Sequence, residues 1–376
     1  KTAVLHGSVL HLPRFFGLTQ LGAPRTDART LGEAMEPSLE FRGKLCATTP
    51  PQVEATTKVL AQLRALGGAM LVLPCGFGKT VCSLWLAHAL QRRALIMVHT
   101  DALAAQWIER ISAFLPSARV GRIQQDVCQV DGCDIVVCMI QSLVKREYAP
   151  ELLATLGTVI VDEAHHVAAP MFSRALGKLT ARYVLGLSAT PDRSDGLGIA
   201  LEWLLGPIAF RAQRVFERVR VDQIVYTRGA EEELTNRKGD PLCSTMITNL
   251  ATDPVRTAWI ASLIEEQAGK ARNIMVLSDR LEQLGALESL LREAGVSVAR
   301  VVGGTKAKDR DAGFTAQVIL STYHYASEGI DIPRLDTLVM ATPRGAVEQT
   351  VGRILRPFPN KKEPLVLDIK DPFSLF

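Results

Sequence analysis

A glycine-rich turn carrying a lysine and a threonine lies between an apolar run and a helix-forming run. Leu71–Leu73 leads into it, and Gly78-Lys79-Thr80 closes it ahead of Val81–Leu90. Glycines let backbone N–H groups face phosphate oxygens, lysine reaches the β and γ phosphates, and a threonine hydroxyl suits Mg²⁺. The strict pattern has glycine where this chain has Leu73, and a turn without a ligand is the alternative. We predict an ATP site formed by Pro74, Cys75, Gly76, Phe77, Gly78, Lys79 and Thr80.

Two adjacent carboxylates follow a second apolar run. Asp162 and Glu163 begin an Asp-Glu-Ala-His sequence directly after Val159–Val161. Ligands of open α/β sheets bind at the carboxyl ends of the strands, so an ordinary solvated turn is the weaker explanation. We expect Asp162 to hold Mg²⁺ with Thr80, partly through water. We expect Glu163 to orient and deprotonate the water that attacks the γ-phosphate.

Further motifs extend this pattern from about Pro51 to Arg356. With Ser188–Thr190 and Gln349–Arg356 included, the sequence resembles the superfamily-two helicases, which have two RecA-like domains that close on ATP while gripping nucleic acid. The resemblance gives catalytic roles to Gln349, Arg353 and Arg356, beside Lys79, Asp162 and Glu163. The two arginines lie three residues apart on one helix face, where they could meet transition-state charge on the γ-phosphate. A surface ion pair is their alternative.

The same resemblance implies further contacts with the nucleotide and with nucleic acid. Gln52, after Pro51, corresponds to an adenine-reading glutamine, and Gly329 and Asp331 to residues that approach the nucleotide. Short polar side chains at strand ends suit contacts with a phosphate backbone. The predicted nucleic-acid residues of this kind are His99, Thr100, Gln141, Ser142, Ser278 and Thr322.

The stretch Leu185–Leu197 indicates the branch of the family. It is similar to the XPB-like group of DNA helicases and their relatives in phages and large DNA viruses, although Arg193-Ser194-Asp195 replaces the Arg-Glu-Asp triplet of XPB. The implied function is ATP-dependent movement on duplex, forked or branched DNA, with unwinding or remodelling. An RNA helicase and a nucleotide-binding structural subunit of a transcription or viral assembly stay open. A phosphate-loop kinase or small GTPase needs neither a duplicated α/β domain nor the arginine pair.

Helices alternate with short apolar runs after Pro51, which predicts parallel sheets covered by helices. The fold class expected is α/β, with two tandem RecA-like domains and a small N-terminal appendage. The boundaries expected are residues 1–45 for the appendage, 46–212 for the first domain and 213–376 for the second. The predicted strands are Ala69–Leu73, Ala94–His99, Ile135–Ile140, Thr158–Val161 and Tyr183–Leu187, then Asn273–Leu277, Val296–Val301, Ala316–Ser321, Thr337–Ala341 and Leu365–Ile369.

The composition is typical of an ordinary soluble protein with a small excess of basic over acidic residues. The 376 residues are 47% hydrophobic with a formal charge of +4, compatible with a polyanionic partner. Apolar runs are too short to cross a bilayer, so no membrane role is expected, and protein partners cannot be identified. Seven cysteines without a CxxC pair favour an intracellular, reducing compartment. The nucleus, a viral factory or virion, and the bacterial cytoplasm are equally compatible.

Overall fold

The chain forms two compact α/β units. The computed structural model describes residues 4–48, 50–74, 76–164, 169–189, 198–212, 219–227, 233–330, 332–345, 347–356 and 358–371. Unit 1 spans Lys1–Arg214 and unit 2 spans Val215–Phe376. The prediction of two successive α/β units is therefore confirmed. Among the described helices, none has the length and apolar character that a bilayer crossing requires.

Unit 1 contains a small hairpin and a sheet of eight strands. The sheet order is β10-β3-β9-β8-β4-β7-β5-β6, parallel except for the β5–β6 pair. The hairpin of unit 1 consists of β1 (Val4–His6) and β2 (Val9–His11). The strands of the large sheet are β3 (Gly68–Val72), β4 (Ala94–Val98), β5 (Val120–Gln124), β6 (Val127–Cys128), β7 (Ile135–Met139), β8 (Thr158–Val161), β9 (Tyr183–Ser188) and β10 (Ile208–Arg211). Its helices are α1 (Arg14–Leu21), α2 (Gln52–Leu66), α3 (Lys79–Leu90), α4 (Asp101–Phe114), α5 (Ile140–Lys145), α6 (Pro150–Ala154), α7 (Ala169–Leu176) and α8 (Gly198–Leu205).

Helices cover both faces of this sheet. All residues of β3, β4 and β8 are buried, as expected for strands of a parallel sheet that is covered twice. One core includes Val59 of α2, Leu86 of α3 and Trp107 of α4. The opposite core includes Leu143 of α5 and Leu204 of α8. Because these strands are parallel, their carboxyl ends lie together at one edge of a sheet that is packed on both faces.

Described residues within the stretch 1–45, which the sequence predicts to be an N-terminal appendage, pack against the sheet of unit 1. Between Thr30 and Glu36 the backbone passes the amino-terminal ends of β9, β8, β4 and β7 and hydrogen-bonds to residues there. A Cβ atom on Gly157 would lie 1.8 Å from the Leu31 carbonyl oxygen, so this close approach requires glycine. Met35 and Leu39 belong to the core on the α2–α4 side. Residues 30–36 therefore pack along the amino-terminal edge of the sheet, opposite the edge that carries the predicted ATP site.

Unit 2 has a six-stranded parallel sheet with the order β11-β16-β15-β12-β14-β13. Its strands are β11 (Arg220–Val225), β12 (Ile274–Leu277), β13 (Val298–Arg300), β14 (Val318–Ser321), β15 (Thr337–Met340) and β16 (Leu365–Lys370). Its helices are α9 (Cys243–Thr252), α10 (Pro254–Gly269), α11 (Leu281–Glu293), α12 (Ala307–Gly313), α13 (Tyr323–Gly329) and α14 (Glu348–Ile354). Helices α10 and α11 pack on one face, and α13 and α14 on the other.

Candidate functional site

The glycine-rich turn joins β3 to α3, as its sequence predicts. The Phe77 N–H donates to the Pro74 carbonyl oxygen at 3.1 Å, and Gly78 adopts a φ of 83°. This φ favours glycine, and a Cβ atom on Gly78 would lie 2.3 Å from Nε2 of Gln52, so a larger residue would also displace the Gln52 side chain. No side chain caps the first turn of α3, whose N–H groups and dipole favour an anion. Cys75 lies outside the described residues.

An ion pair joins the glycine-rich turn to the acid box, which is the Asp-Glu-Ala-His sequence that begins at Asp162. Lys79 Nζ donates to Glu163 Oε1 at 3.0 Å, although the two residues lie 84 positions apart in the sequence. Glu163 has a φ of 44°, and left-handed backbone at a residue other than glycine costs about 1–3 kcal/mol. Its N–H donates to Asp162 Oδ1 at 2.9 Å. The ion pair therefore places the Glu163 carboxylate at the lysine, and the backbone of Glu163 at the same time donates to the Asp162 carboxylate.

Asp162 is buried at the carboxyl end of β8. Trp107 Nε1 donates to Asp162 Oδ2 at 2.7 Å, and both residues are buried. Burial and the charge of Glu163 raise the pKa of Asp162 to about 6, while Lys79 and the indole hydrogen bond act in the opposite direction. Asp162 is thus ionised at neutral pH but retains a proton more readily than an exposed aspartate.

The oxygen atoms at this edge fit a magnesium ion. Each Asp162 oxygen accepts one hydrogen bond, and a carboxylate has about four acceptor positions, so capacity remains for a metal or its water. Thr80, the second residue of α3, adds a hydroxyl group. Mg²⁺ prefers hard oxygen ligands and keeps several waters, so one carboxylate and one hydroxyl are a suitable protein contribution.

Gln52 lies against the glycine-rich turn. Its Oε1 accepts from the Cys46 N–H at 2.8 Å, and its Nε2 donates to the Phe77 carbonyl oxygen at 3.0 Å. The side chain therefore places one donor and one acceptor beside the loop. An adenine would have to replace these partners, so adenine recognition by Gln52 stays a prediction.

Four predicted nucleic-acid residues lie at the ends of two neighbouring strands. His99 and Thr100 follow β4, and Gln141 and Ser142 follow β7. Gln141 Nε2 donates to the His99 carbonyl oxygen at 2.9 Å, and Thr100 Oγ1 accepts from the Leu103 N–H at 3.3 Å. Since β4 also pairs with β8, this strand-end row adjoins the acid box.

The prediction for Ser278 needs correction. Its side chain is fully buried, its hydroxyl donates to Gln283 Oε1 at 2.7 Å, and its oxygen accepts from the Arg280 N–H at 3.1 Å. This hydroxyl fastens the loop after β12 and does not face solvent, so it is not placed to contact nucleic acid. Thr322 is partly exposed and caps α13 by accepting from the Tyr325 N–H at 3.3 Å.

The remaining predicted residues of unit 2 lie on or near α13 and α14. Arg353 is on α14 and Arg356 follows it, and both are partly buried. Gly329 ends α13, and Gln349 is on α14, although its side chain lies outside the part of the structure that is described. Other quoted positions outside the described residues are Asp331, His165, Thr190 and Arg193-Ser194-Asp195.

Sequence reasoning assigned no role to two features of these edges. Trp107 has no role in the sequence-based prediction, and the need of a buried indole N–H for an acceptor is the one signal that could indicate its contact. Arg256 and Asp371 form a fully buried ion pair at 2.7 Å in unit 2. Arginine and aspartate are almost never fully buried unless paired, but the sequence does not show which residues form the pair.

Two family models match the chain. Residues 45–193 match the model described as type III restriction enzyme, res subunit, and residues 256–357 match the helicase conserved C-terminal domain. The two matches fall in units 1 and 2 respectively.

Named relatives come from phages and large DNA viruses. A protein of Acanthamoeba polyphaga mimivirus, provisionally named an ATP-dependent RNA helicase, is 34% identical over 98% of this chain and 72% of its own length. A provisionally named helicase of Escherichia phage T5 is 27% identical, over 78% of this chain and 66% of its own length. An African swine fever virus protein, provisionally named an ATP-dependent RNA helicase, is 28% identical over 86% of this chain and 69% of its own.

Among solved structures, the chain is similar to T4 UvsW, with 20% identity and a TM-score of 0.36, over 84% of this chain and 67% of that one. The matched models and the identity to the mimivirus protein confirm the expected pair of RecA-like domains. The chain belongs to the superfamily-two helicases, with relatives in phages and large DNA viruses, and is an ATP-hydrolysing helicase that acts on nucleic acid.

Proposed function

We propose that this helicase is a DNA-dependent translocase that uses MgATP to move on duplex or branched DNA and to unwind or remodel it. The observation that carries the ATPase part is the convergence of Lys79, Glu163 and Asp162 at the strand ends of unit 1. The choice of DNA rests on the stretch Leu185–Leu197, which is similar to the XPB-like DNA helicases.

Each residue of the glycine-rich turn and the acid box that is named here has a separate task in this proposal. Lys79 binds the β and γ phosphates, and Asp162 and Thr80 hold Mg²⁺, partly through water. Glu163 orients the attacking water and takes its proton as the bond from the water oxygen to the γ phosphorus forms, while the bond from that phosphorus to the β–γ bridging oxygen breaks and ADP leaves. Bound Mg²⁺ would supply charge neutralisation at the phosphate oxygens.

In this proposal, unit 2 contributes residues of the Gln349–Arg356 motif. Arg353 and Arg356 stabilise the charge that develops during phosphoryl transfer, and Gln349 acts with them. Gln52 selects adenine, and Gly329 and Asp331 approach the nucleotide. Substituting either arginine would then lower hydrolysis more than nucleotide affinity.

The proposed track is the sugar-phosphate backbone. His99, Thr100, Gln141 and Ser142 form the strand-end row of unit 1, and Thr322 is the corresponding residue of unit 2. Amide and hydroxyl groups contact phosphates without reading base sequence, so we expect little sequence preference. Each cationic contact with phosphate adds to the salt dependence of binding, which should be steep.

RNA is the second candidate track, because two of the relatives are provisionally named RNA helicases. ATPase rates with single-stranded, blunt duplex, forked and four-way DNA and with RNA, at matched salt, separate the two. We expect duplex or branched DNA to stimulate hydrolysis most. Stronger stimulation by RNA would overturn the choice of DNA and leave the ATPase assignment intact.

A further inference from the structure

The indole of Trp107 is directed at the acid box. Trp107 is only 2% exposed, and its single polar atom, Nε1, donates to Asp162 Oδ2 at 2.7 Å. A hydrogen bond to a charged carboxylate is stronger than one between neutral groups, and low surrounding polarity strengthens it further. The contact joins residues 55 positions apart.

Two donors on different oxygens fix the rotation of the Asp162 carboxylate. The indole N–H holds Oδ2, and the Glu163 N–H holds Oδ1 at 2.9 Å. Rotation about the last side-chain bond would break both contacts at once. The acceptor positions that remain therefore keep one direction, which a metal that demands near-ideal octahedral geometry requires.

Helix α4 connects this contact to the strand-end row. The helix begins at Asp101, directly after Thr100, whose Oγ1 accepts from the Leu103 N–H and caps the first turn. Trp107 lies seven residues after Thr100, or about 10 Å along the helix axis. Leu103, Ala104 and Ile111 are buried on the same helix. Because these buried side chains fix α4 as one packed element, a displacement of its first turn would also displace Trp107.

We propose that Trp107 is a positioning residue of the ATPase. It orients the Asp162 carboxylate for Mg²⁺, and through α4 it links nucleic-acid binding at His99 and Thr100 to that carboxylate. The proposal rests on the proposed roles of Asp162 and of the strand-end row. A purely structural role, in which the ring only fills the core, would leave the Mg²⁺ dependence unchanged.

The first test removes the N–H and keeps the ring. Trp107→Phe is compared with Trp85→Phe, because Trp85 lies on α3 and packs against the same core. Binding of a fluorescent ATP analogue is titrated with Mg²⁺, beside steady-state ATPase. We expect Trp107→Phe to raise the Mg²⁺ concentration for half-maximal binding about tenfold, as for other residues that orient metal ligands. Nucleotide affinity without Mg²⁺ should not change.

Asp162→Asn separates this inference from the proposed function. If Asp162→Asn leaves the Mg²⁺ dependence unchanged, the metal role of Asp162 is wrong. If Asp162→Asn alters it and Trp107→Phe alters it no more than Trp85→Phe, only the role of Trp107 is overturned. Should Trp107→Phe fail to fold, benzothienylalanine at position 107 replaces the N–H with sulfur in a ring of nearly the same shape.

A second measurement tests the link through α4. The factor by which duplex DNA stimulates ATP hydrolysis is measured at saturating Mg²⁺ for both tryptophan variants. We expect Trp107→Phe to lower this factor while DNA affinity without nucleotide stays at the wild-type value. An unchanged factor would overturn the link and leave the orientation of Asp162 as a separate claim.

Discussion

The carboxyl ends of the two parallel sheets hold their polar side chains in different ways. In unit 1, Lys79 contacts Glu163 and Trp107 contacts Asp162, so charged groups converge on one place. In unit 2, the Tyr323 hydroxyl donates to the Thr342 carbonyl oxygen at 2.6 Å, and Asp279 N–H donates to the hydroxyl of Thr342 at 3.0 Å. These contacts join the segment after β15 to α13 and to the loop after β12.

The difference shows that a repeated fold need not repeat its chemistry. Unit 1 carries a raised pKa at Asp162 and a strained backbone at Glu163, both costly features that mark a working site. At the matching edge of unit 2, the buried side chains of Ser278 and Arg256 have hydrogen-bond partners within the same unit. Substitutions of Lys79, Asp162 or Glu163 should therefore damage activity, and substitutions of Ser278 or of the Arg256 ion pair should damage stability.

The largest effect is expected at Glu163. Glu163→Gln keeps the shape of the side chain and removes the base, which should lower the ATPase kcat on the order of a thousandfold. Nucleotide affinity should change little. The control is Glu151→Gln, an exposed carboxylate of the same unit, which should hydrolyse ATP at the wild-type rate. Near wild-type turnover by Glu163→Gln would break the contrast between the units.

The next effect is expected at the buried ion pair of unit 2. Asp371→Asn leaves the Arg256 guanidinium buried without its partner charge and should lower the free energy of unfolding by about 3 kcal/mol. Asp222→Asn is the matched control, because its partner Arg220 is exposed, and should cost less than about 1 kcal/mol. Urea unfolding measures both. Equal losses of unfolding free energy in the two variants would show that the buried Arg256–Asp371 ion pair matters no more for stability than the exposed Arg220–Asp222 pair.

Acidification should affect the magnesium site of unit 1. Because burial and Glu163 raise the pKa of Asp162 to about 6, protons compete with Mg²⁺ for this carboxylate below that pH. At subsaturating Mg²⁺, ATPase activity should fall about tenfold from about pH 7 to about pH 5. Saturating Mg²⁺ should move the fall to lower pH. A fall that ignores the Mg²⁺ concentration would point to a different group.

The smallest effect is expected at Ser278. Ser278→Ala removes the hydrogen bonds to Gln283 and Arg280 and should lower the stability of unit 2 by about 1 kcal/mol. DNA affinity and its salt dependence should stay unchanged. The opposite pattern, weaker DNA binding at unchanged stability, would restore the sequence-based assignment of this residue.

Most of the two sheets could be predicted from the sequence. Strands buried on both faces are continuous apolar runs, and the ten predicted strands all lie within one or two residues of an observed one. Strands β5, β6, β10 and β11 were not predicted, and in β11 Arg220, Asp222 and Gln223 interrupt the apolar character. The path of residues 30–36 along unit 1 was also missed, since it depends largely on backbone hydrogen bonds.

The site was predictable where its residues are contiguous in sequence. The glycine-rich turn and the acid box each follow a strand, so spacing alone places them at one edge. The contact of Trp107 with Asp162 crosses 55 positions and depends on how α4 packs. Ser278 could not be assigned from sequence, because a hydroxyl after a strand can either face solvent or fasten its own loop.

Displacement of a third strand from duplex DNA tests the central claim most directly. A triplex-forming strand is bound to a DNA duplex, and its release is followed with ATP for the wild type and for Glu163→Gln. The account predicts ATP-dependent release by the wild type and none by Glu163→Gln, which should still bind the duplex. Absence of release by the wild type while it hydrolyses ATP on that duplex would contradict translocation on DNA.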